Sequence, residues 1–366
     1  MAKIKERIKK MSHYKPPLEG RASKDYLLLD FNERTTPTSP KVKEAIKKFL
    51  DKDRLQVYPE YGDLEEKIAK YAGVKNGQIM VTNGGDQGID IICRAHLDTG
   101  DKVIVPFPSF AMHYQSAGIQ GAEILEPRYG GNGEFPLEEV FNLLKDEKVK
   151  LIILCNPNNP LGSTILIEEV EKIIEKAKEK DVAVLHDEAY FEFSKITAKD
   201  LIEKYDNLYI MRTFAKAFGL VSARAGYLIS QENNIQELLK IRGPYDVNMF
   251  AKTAILAALE DLKYMEEYIK EVMERSKPKL EEFLKTKEIS FYPSSANFLM
   301  LKIENPDKII EGLKSQGILV RPKKDSNGND AVRVSIGTLK DTERLIKAFN
   351  LLRVDKDFKK SKIGRV

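Results

Sequence analysis

The sequence predicts an α/β protein: a large, mostly parallel sheet covered by helices on both faces, followed by a smaller α+β unit. Short β-branched apolar runs at 79–81, 103–105, 151–154, 182–185, 208–211 and 226–229 alternate with long amphipathic stretches. Continuous apolar strands separated by helices belong to sheets buried on both sides. After about Phe250 the pattern changes to long helical segments and then further strand-like runs. A chain of 366 residues, 42% of them hydrophobic, also exceeds what one small core needs, so two domains are expected.

Taken in order, a basic, poorly periodic arm runs to about Lys24, and an apolar run at 26–31 leads into Asn32-Glu33-Arg34-Thr35-Thr36-Pro37. Val42, Ala45, Ile46, Phe49 and Leu50 keep helical spacing after the start signal Ser39-Pro40. Tyr58-Pro59-Glu60-Tyr61-Gly62 is rich in turn formers and precedes a helix with Leu64, Ile68 and Tyr71 on one side. Val170, Ile173, Ile174 and Ala177 mark the buried stripe of a crossover helix whose outer face is Glu and Lys. Region 251–284 reads as helical, and 298–303, 318–321 and 332–336 as strands. A last helix, opened by Asp341-Thr342, carries Leu345, Ile346 and Phe349. The expected divisions are an arm at 1–52 that joins the small domain, a large domain at 53–249, a small domain at 250–355 and a solvated basic tail at 356–366.

Composition removes several function classes. Sixty Lys plus Arg against 56 Asp plus Glu leave +4, with the signs interleaved along helical stretches, so no nucleic-acid partner is expected. No apolar run approaches membrane-spanning length, and no apolar segment follows the charged N-terminus. Cys93 and Cys155 lie far apart in apolar runs, which fits a reducing compartment, read as the cytoplasm. No metal site is expected.

In α/β sheets ligands collect at the carboxyl ends of strands. Lys216 lies shortly after the run at 208–211, among small and aromatic residues. Desolvation there lowers an amine's pKa and suits it to Schiff-base chemistry. Thr213 and Arg224 flank it and could hold a phosphate near the amine. Asp187 follows another strand and could pair with a protonated pyridine nitrogen, with Tyr190 three residues on able to reach a ring oxygen. His186 is expected to pack in the core. In Cys155-Asn156-Pro157-Asn158-Asn159-Pro160-Leu161-Gly162 two prolines and a glycine fix a loop that could aim the Asn159 amide. Gly84, Gly85 and Asp86 open a helix after a strand, where backbone N–H groups could cradle phosphate. Phe110 could stack on a flat ring. Arg321 and Arg333 sit in β-branched strands, where an arginine either grips an anion or joins an internal salt bridge.

These residues resemble the fold-type-I pyridoxal phosphate aminotransferases, and within them the histidinol-phosphate aminotransferase family, over about residues 26–354. NPNNPLG, DEAY, RTFAKAFGL with Arg224, PYDVN and VRVSIGT carry the likeness. The resemblance implies a seven-stranded, mostly parallel sheet and pyridoxal 5'-phosphate bonded to Lys216, which then shuttles a proton. It implies that Asp187 pairs with the pyridine nitrogen, that Tyr190 and Asn159 contact the ring oxygen, and that Phe110 stacks on the ring. Gly84, Gly85, Asp86, Thr213 and Arg224 would hold the phosphate, joined by Tyr58 lent by a neighbouring subunit of a homodimer. Arg333, with Arg321 as second arginine, would grip the substrate's carboxylate or phosphate, and the loop opened by Asn32 would help recognise it. Phe110 and Ala215 stand where the family usually has tyrosine and serine, and Gly85-Asp86-Gln87 replaces its usual small-residue-Asp-Glu.

The implied reaction moves an amino group between glutamate and imidazole-acetol phosphate, with small amino and 2-oxo acids as partners. A related aminotransferase acting on aromatic or other amino acids is the near alternative. A threonine-phosphate decarboxylase-like enzyme is a second, and a ligand-sensing domain of a regulator a third.

Overall fold

The computed structural model describes residues 3–18, 20–21 and 25–352, so the predicted tail at 356–366 lies outside the described residues. Seven strands form the large sheet, in the spatial order Ile79–Thr82, Gly226–Ile229, Leu208–Thr213, Ala183–Asp187, Val149–Cys155, Lys102–Ile104 and Glu123–Leu125. Gly226–Ile229 runs antiparallel to both of its neighbours, and the other pairings are parallel. Two apolar layers bury its faces. One contains Ile68, Val170, Ile173 and Ile174, and the other contains Ile89, Ile92 and Leu238. The crossover helix Ile167–Lys178 buries its predicted stripe, Val170, Ile173, Ile174 and Ala177. Glu123–Leu125 was not legible as a strand. It is a three-residue edge strand, half exposed, and has no continuous apolar run to announce it.

The second sheet has four antiparallel strands, Arg321–Lys324, Asp330–Ser335, Phe298–Lys302 and Ser290–Phe291. The run at 318–321, expected as one strand, is two. Ile318–Leu319 pairs in parallel with Leu27–Leu28, and the chain enters the four-stranded sheet only at Arg321. The helical region at 251–284 also divides, into Met249–Leu259, Leu262–Glu271, a wide turn at Val272–Ser276, and Lys277–Thr286. Pro278 sits in the first turn of the last piece, where its missing N–H is tolerated. The final helix starts a turn earlier than expected. Leu339–Leu351 is capped by Thr338, whose Oγ1 accepts from the Asp341 N–H at 3.3 Å while Asp341 Oδ2 accepts from the Thr338 N–H at 3.0 Å. Among the described residues no helix is long and apolar enough to cross a membrane.

Candidate functional site

The site lies where the large sheet's strands end and the loop at 30–32 crosses to the small sheet. Beyond Leu208–Thr213, Lys216 donates from Nζ to the Phe31 carbonyl at 2.9 Å, with its ammonium 6.0 Å from the Tyr190 ring centroid. Burial and Arg333 pull this amine down, and Glu33 and Asp86 resist only in part, so it titrates at about 8. It is therefore available as a neutral nucleophile near physiological pH.

Asp187 closes Ala183–Asp187 and is almost fully buried. Its Oδ1 accepts from the Ala189 N–H at 2.9 Å, and its Oδ2 is 3.0 Å from His113 Nε2. Ser109 Oγ lies 2.8 Å from His113 Nδ1. The arrangement lets Nε2 donate to the carboxylate while Nδ1 faces the Ser109 hydroxyl. His113 was not among the sequence candidates, because nothing within Ala111–Gln120 shows that this helix crosses the end of a strand 74 residues away. Phe110, at the start of the same helix, meets His113 edge-on at 5.7 Å. Tyr190 is buried and accepts from Asn32 Nδ2 at 2.9 Å. Burial raises its phenol, so the hydroxyl keeps its proton and remains a donor.

The Asn-Pro loop is riveted by its own amides. Asn156 exchanges two 3.0 Å bonds with the backbone of Ile165, and Asn158 bonds the Pro108 carbonyl and the Leu161 N–H. Asn159 is left facing the small sheet, where its Oδ1 accepts from Arg333 Nη1 at 2.6 Å. Arg333 Nη2 donates to the Asp30 carbonyl at 2.7 Å, and its Nε has no partner. Arg321 is buried to 9% exposure, lies 4.7 Å over the Phe31 ring, and has an unpartnered Nη1. Among the described residues neither arginine is ion-paired to a carboxylate, which leaves N–H groups open to an anion.

At the other end, Gly84 caps Gly85–His96 with φ 83° and ψ 170°, a conformation nearly restricted to glycine. A Cβ there would sit 2.7 Å from Arg224 Nη2. The Gly84 N–H already serves the Thr82 carbonyl at 2.9 Å, so the open donors of the expected cradle start at Gly85 and Asp86. Arg224 bonds Asp86 Oδ2 at 3.0 Å, and Thr213 Oγ1 accepts from the Ala215 N–H at 3.1 Å. His186 is fully buried as expected, with Nδ1 at 2.9 Å from Glu188 Oε1. That carboxylate also binds Arg212, in a buried network behind the site that the sequence did not reveal. Tyr58 stands apart, highly exposed and stacked on Tyr245 at 4.4 Å.

An amine, a buried carboxylate, a glycine turn at a helix start and two guanidinium groups with unpartnered N–H atoms thus lie near the ends of the large sheet's strands and on the small sheet beside them. The family model described as aminotransferase class I and II matches residues 24–349. A histidinol-phosphate aminotransferase from Geobacillus sp. (strain WCH70) is 36% identical over 346 residues, covering 91% of this chain and 91% of its own length. One from Staphylococcus carnosus (strain TM300) is 35% identical over 359 residues, covering 94% and 97%. Among solved structures, the histidinol-phosphate aminotransferase of Sinorhizobium meliloti in complex with pyridoxal-5'-phosphate superposes with a TM-score of 0.87. At 23% identity, over 96% of this chain and 98% of that one, it is a likeness of fold.

Proposed function

We propose that this chain, which belongs to the aminotransferase class I and II family and is a pyridoxal-phosphate-dependent transaminase, moves an amino group between L-glutamate and imidazole-acetol phosphate, giving L-histidinol phosphate and 2-oxoglutarate. The convergence of the lowered Lys216 amine with the buried, unsatisfied Arg333 and Arg321 carries that reading. It joins an amino-group chemistry to an anionic substrate.

The residues present fit the cofactor. The tight Gly84 turn opposite Arg224 suits its phosphate, with Gly85, Asp86 and Thr213 around it. The buried Asp187 carboxylate suits a protonated ring nitrogen, and the protonated Tyr190 and the Asn159 amide suit the ring hydroxyl. Phe110 would offer its ring to a face of the cofactor. When bound, pyridoxal phosphate supplies the carbonyl that takes the amino group and an electron sink for the pair released at the substrate Cα.

The protein's own part is positional and protonic. Lys216 would hold the cofactor and would be the group that moves a proton at the substrate Cα. Asp187, fixed by His113 and the Ala189 N–H, would pair with a protonated ring nitrogen. Arg333 and Arg321 orient the substrate's carboxylate or phosphate, and Asn32 helps shape that end. The unit at 53–249 holds the cofactor. The segments 1–52 and 250–355 supply the anion grip. Exposed Leu55, Val57, Tyr58 and Tyr245 suit contact with a second copy, to whose cofactor phosphate Tyr58 would reach, and the enzyme works as a cytoplasmic homodimer.

The test mixes cofactor-loaded protein with single amino donors and follows the cofactor absorbance through one half reaction. Fast conversion by L-glutamate and L-histidinol phosphate alone is expected. A broad response to phenylalanine, tyrosine or aspartate would replace this substrate assignment, as would carbon dioxide release from phosphothreonine.

A further inference from the structure

A third cation stands beside the two arginines. Arg321 and Arg333 are register partners across an antiparallel pair, and Lys323 pairs with Ala331 in the same ladder. Side chains two residues apart on a strand share a face, and directly paired residues share it too. Burial follows that alternation: Arg321 is buried, Pro322 exposed, Lys323 half-buried and Lys324 exposed. Lys324 turns outward and pairs with Asp330 at 2.7 Å. Lys323 turns inward, and among the described residues no hydrogen bond or ion pair engages its ammonium. Burial, Arg333 and Arg321 together pull it down to about 7.

The nearby carboxylates are already committed. Arg21 takes Asp30 Oδ1 at 2.8 Å and Glu33 Oε2 at 2.5 Å. Three cations therefore share a face with unpartnered N–H groups on Arg321 and Arg333. Like charges so arranged disfavour one another until an anion joins them. A carboxylate brings one charge and is met by a single bidentate guanidinium. A phosphate monoester brings about 1.5 to 2 charges at neutral pH and three acceptor oxygens, which matches three donors.

We propose that Lys323 is a specificity-determining residue that completes, with Arg321 and Arg333, a three-cation seat favouring a phosphate monoester over a carboxylate. The inference deepens the proposed reaction and rests on it for the identity of the substrate.

Wild type, Lys323→Met and Lys323→Arg are compared in the half reactions with L-histidinol phosphate and with L-glutamate. Inorganic phosphate is then titrated as an inhibitor of the glutamate reaction. In Lys323→Met, kcat/KM for L-histidinol phosphate should fall about 10- to 150-fold, the range for losing a charged hydrogen bond. That fall should exceed the fall for glutamate by about tenfold, inhibition by inorganic phosphate should weaken in parallel, and Lys323→Arg should restore most of both. Equal losses for the two substrates, or no loss of phosphate inhibition, would overturn the seat. If wild type fails to convert L-histidinol phosphate at all, the proposed reaction falls. The phosphate titration then decides the seat by itself.

Discussion

Replacing His113 by phenylalanine tests how much of the chemistry depends on the hydrogen-bond chain behind Asp187. The substitution keeps a flat ring in a site with no solvent exposure, and it removes two bonds, 3.0 Å to Asp187 Oδ2 and 2.8 Å to Ser109 Oγ. A hydrogen bond to a charged group is worth about 1.5–3 kcal/mol. The Asp187 carboxylate would keep its bond from the Ala189 N–H, but its charged form would weaken by about that amount. Its hold on a protonated ring nitrogen would weaken with it, and kcat should drop about 10- to 150-fold. Ser109→Ala breaks only the neutral outer bond, worth about 0.5–1.5 kcal/mol, and should cost about 2- to 12-fold. Since Ser109 acts only through His113, adding Ser109→Ala to His113→Phe should cost nothing further. Single-turnover rates with saturating L-glutamate, beside thermal melts to confirm folding, give all four corners of the cycle. A His113→Phe enzyme with more than half the wild-type rate, or additive losses in the double variant, would refute the chain.

Three further outcomes follow from particular contacts. Because the Lys216 amine is lowered to about 8, the rate at which cofactor-free protein captures pyridoxal phosphate should rise with pH through about 8 and level off above it. An inflection near the ordinary lysine value would contradict the assignment, and Lys216→Ala should capture none and lose transamination. Gly84→Ala should raise the cofactor Kd at least tenfold in an absorbance titration, since φ 83° with ψ 170° costs a non-glycine residue about 1–3 kcal/mol and the new Cβ meets Arg224; an unchanged Kd would remove that turn from the cradle. Glu188→Ala should cost about 3–5 kcal/mol in urea unfolding, because it strands the fully buried Arg212. Burial alone would raise the Glu188 carboxyl, but Arg212, His186 and the Ala198 N–H hold it at about 2, below its ordinary 4.5. Its stabilisation is therefore complete above about 4.5 and lost as pH falls toward 2, so Glu188→Gln should flatten that part of the acid-unfolding curve.

Legibility in the sequence followed range. Lys216, Asp187, Asn159 and Arg224 each follow an apolar run or sit in a turn of marked composition, so the strand-end rule led to them from local pattern alone. His113 did not stand out, since its meaning depends on where the helix Ala111–Gln120 lies against Asp187. Arg212 and Glu188 were not among the sequence candidates, since only the fold brings them to 2.8 Å. Lys323-Lys324 was not among the sequence candidates either. Its division into an inward and an outward lysine appears only once the strand is known to begin at Arg321, because a slip of one residue would exchange the two. The same register could not be had from the run at 318–321, which the structure divides between two sheets.

The loop at 30–32 ties these parts into one device. The Asp30 carbonyl holds Arg333, the Phe31 carbonyl holds Lys216, and its ring lies between the guanidinium groups of Arg21 and Arg321. Asn32, in the left-handed region at φ 56°, donates to Tyr190, receives Ser335 Oγ at its side-chain oxygen, and accepts from Asn297 at its carbonyl. Amine, phenol and anion grip are thus positioned by three consecutive residues from the beginning of the chain, although the groups they hold lie as far as 303 residues away. In the proposed reaction cofactor and substrate would exchange existing bonds for new ones, Lys216 leaving the Phe31 carbonyl and Arg333 sharing Asn159. Each exchange yields only the modest net gain of a swapped hydrogen bond. In the proposed reaction the larger gain would come from charge: among the described residues no carboxylate pairs with Arg321, Arg333 or Lys323, so the incoming anion would be the partner that offsets them.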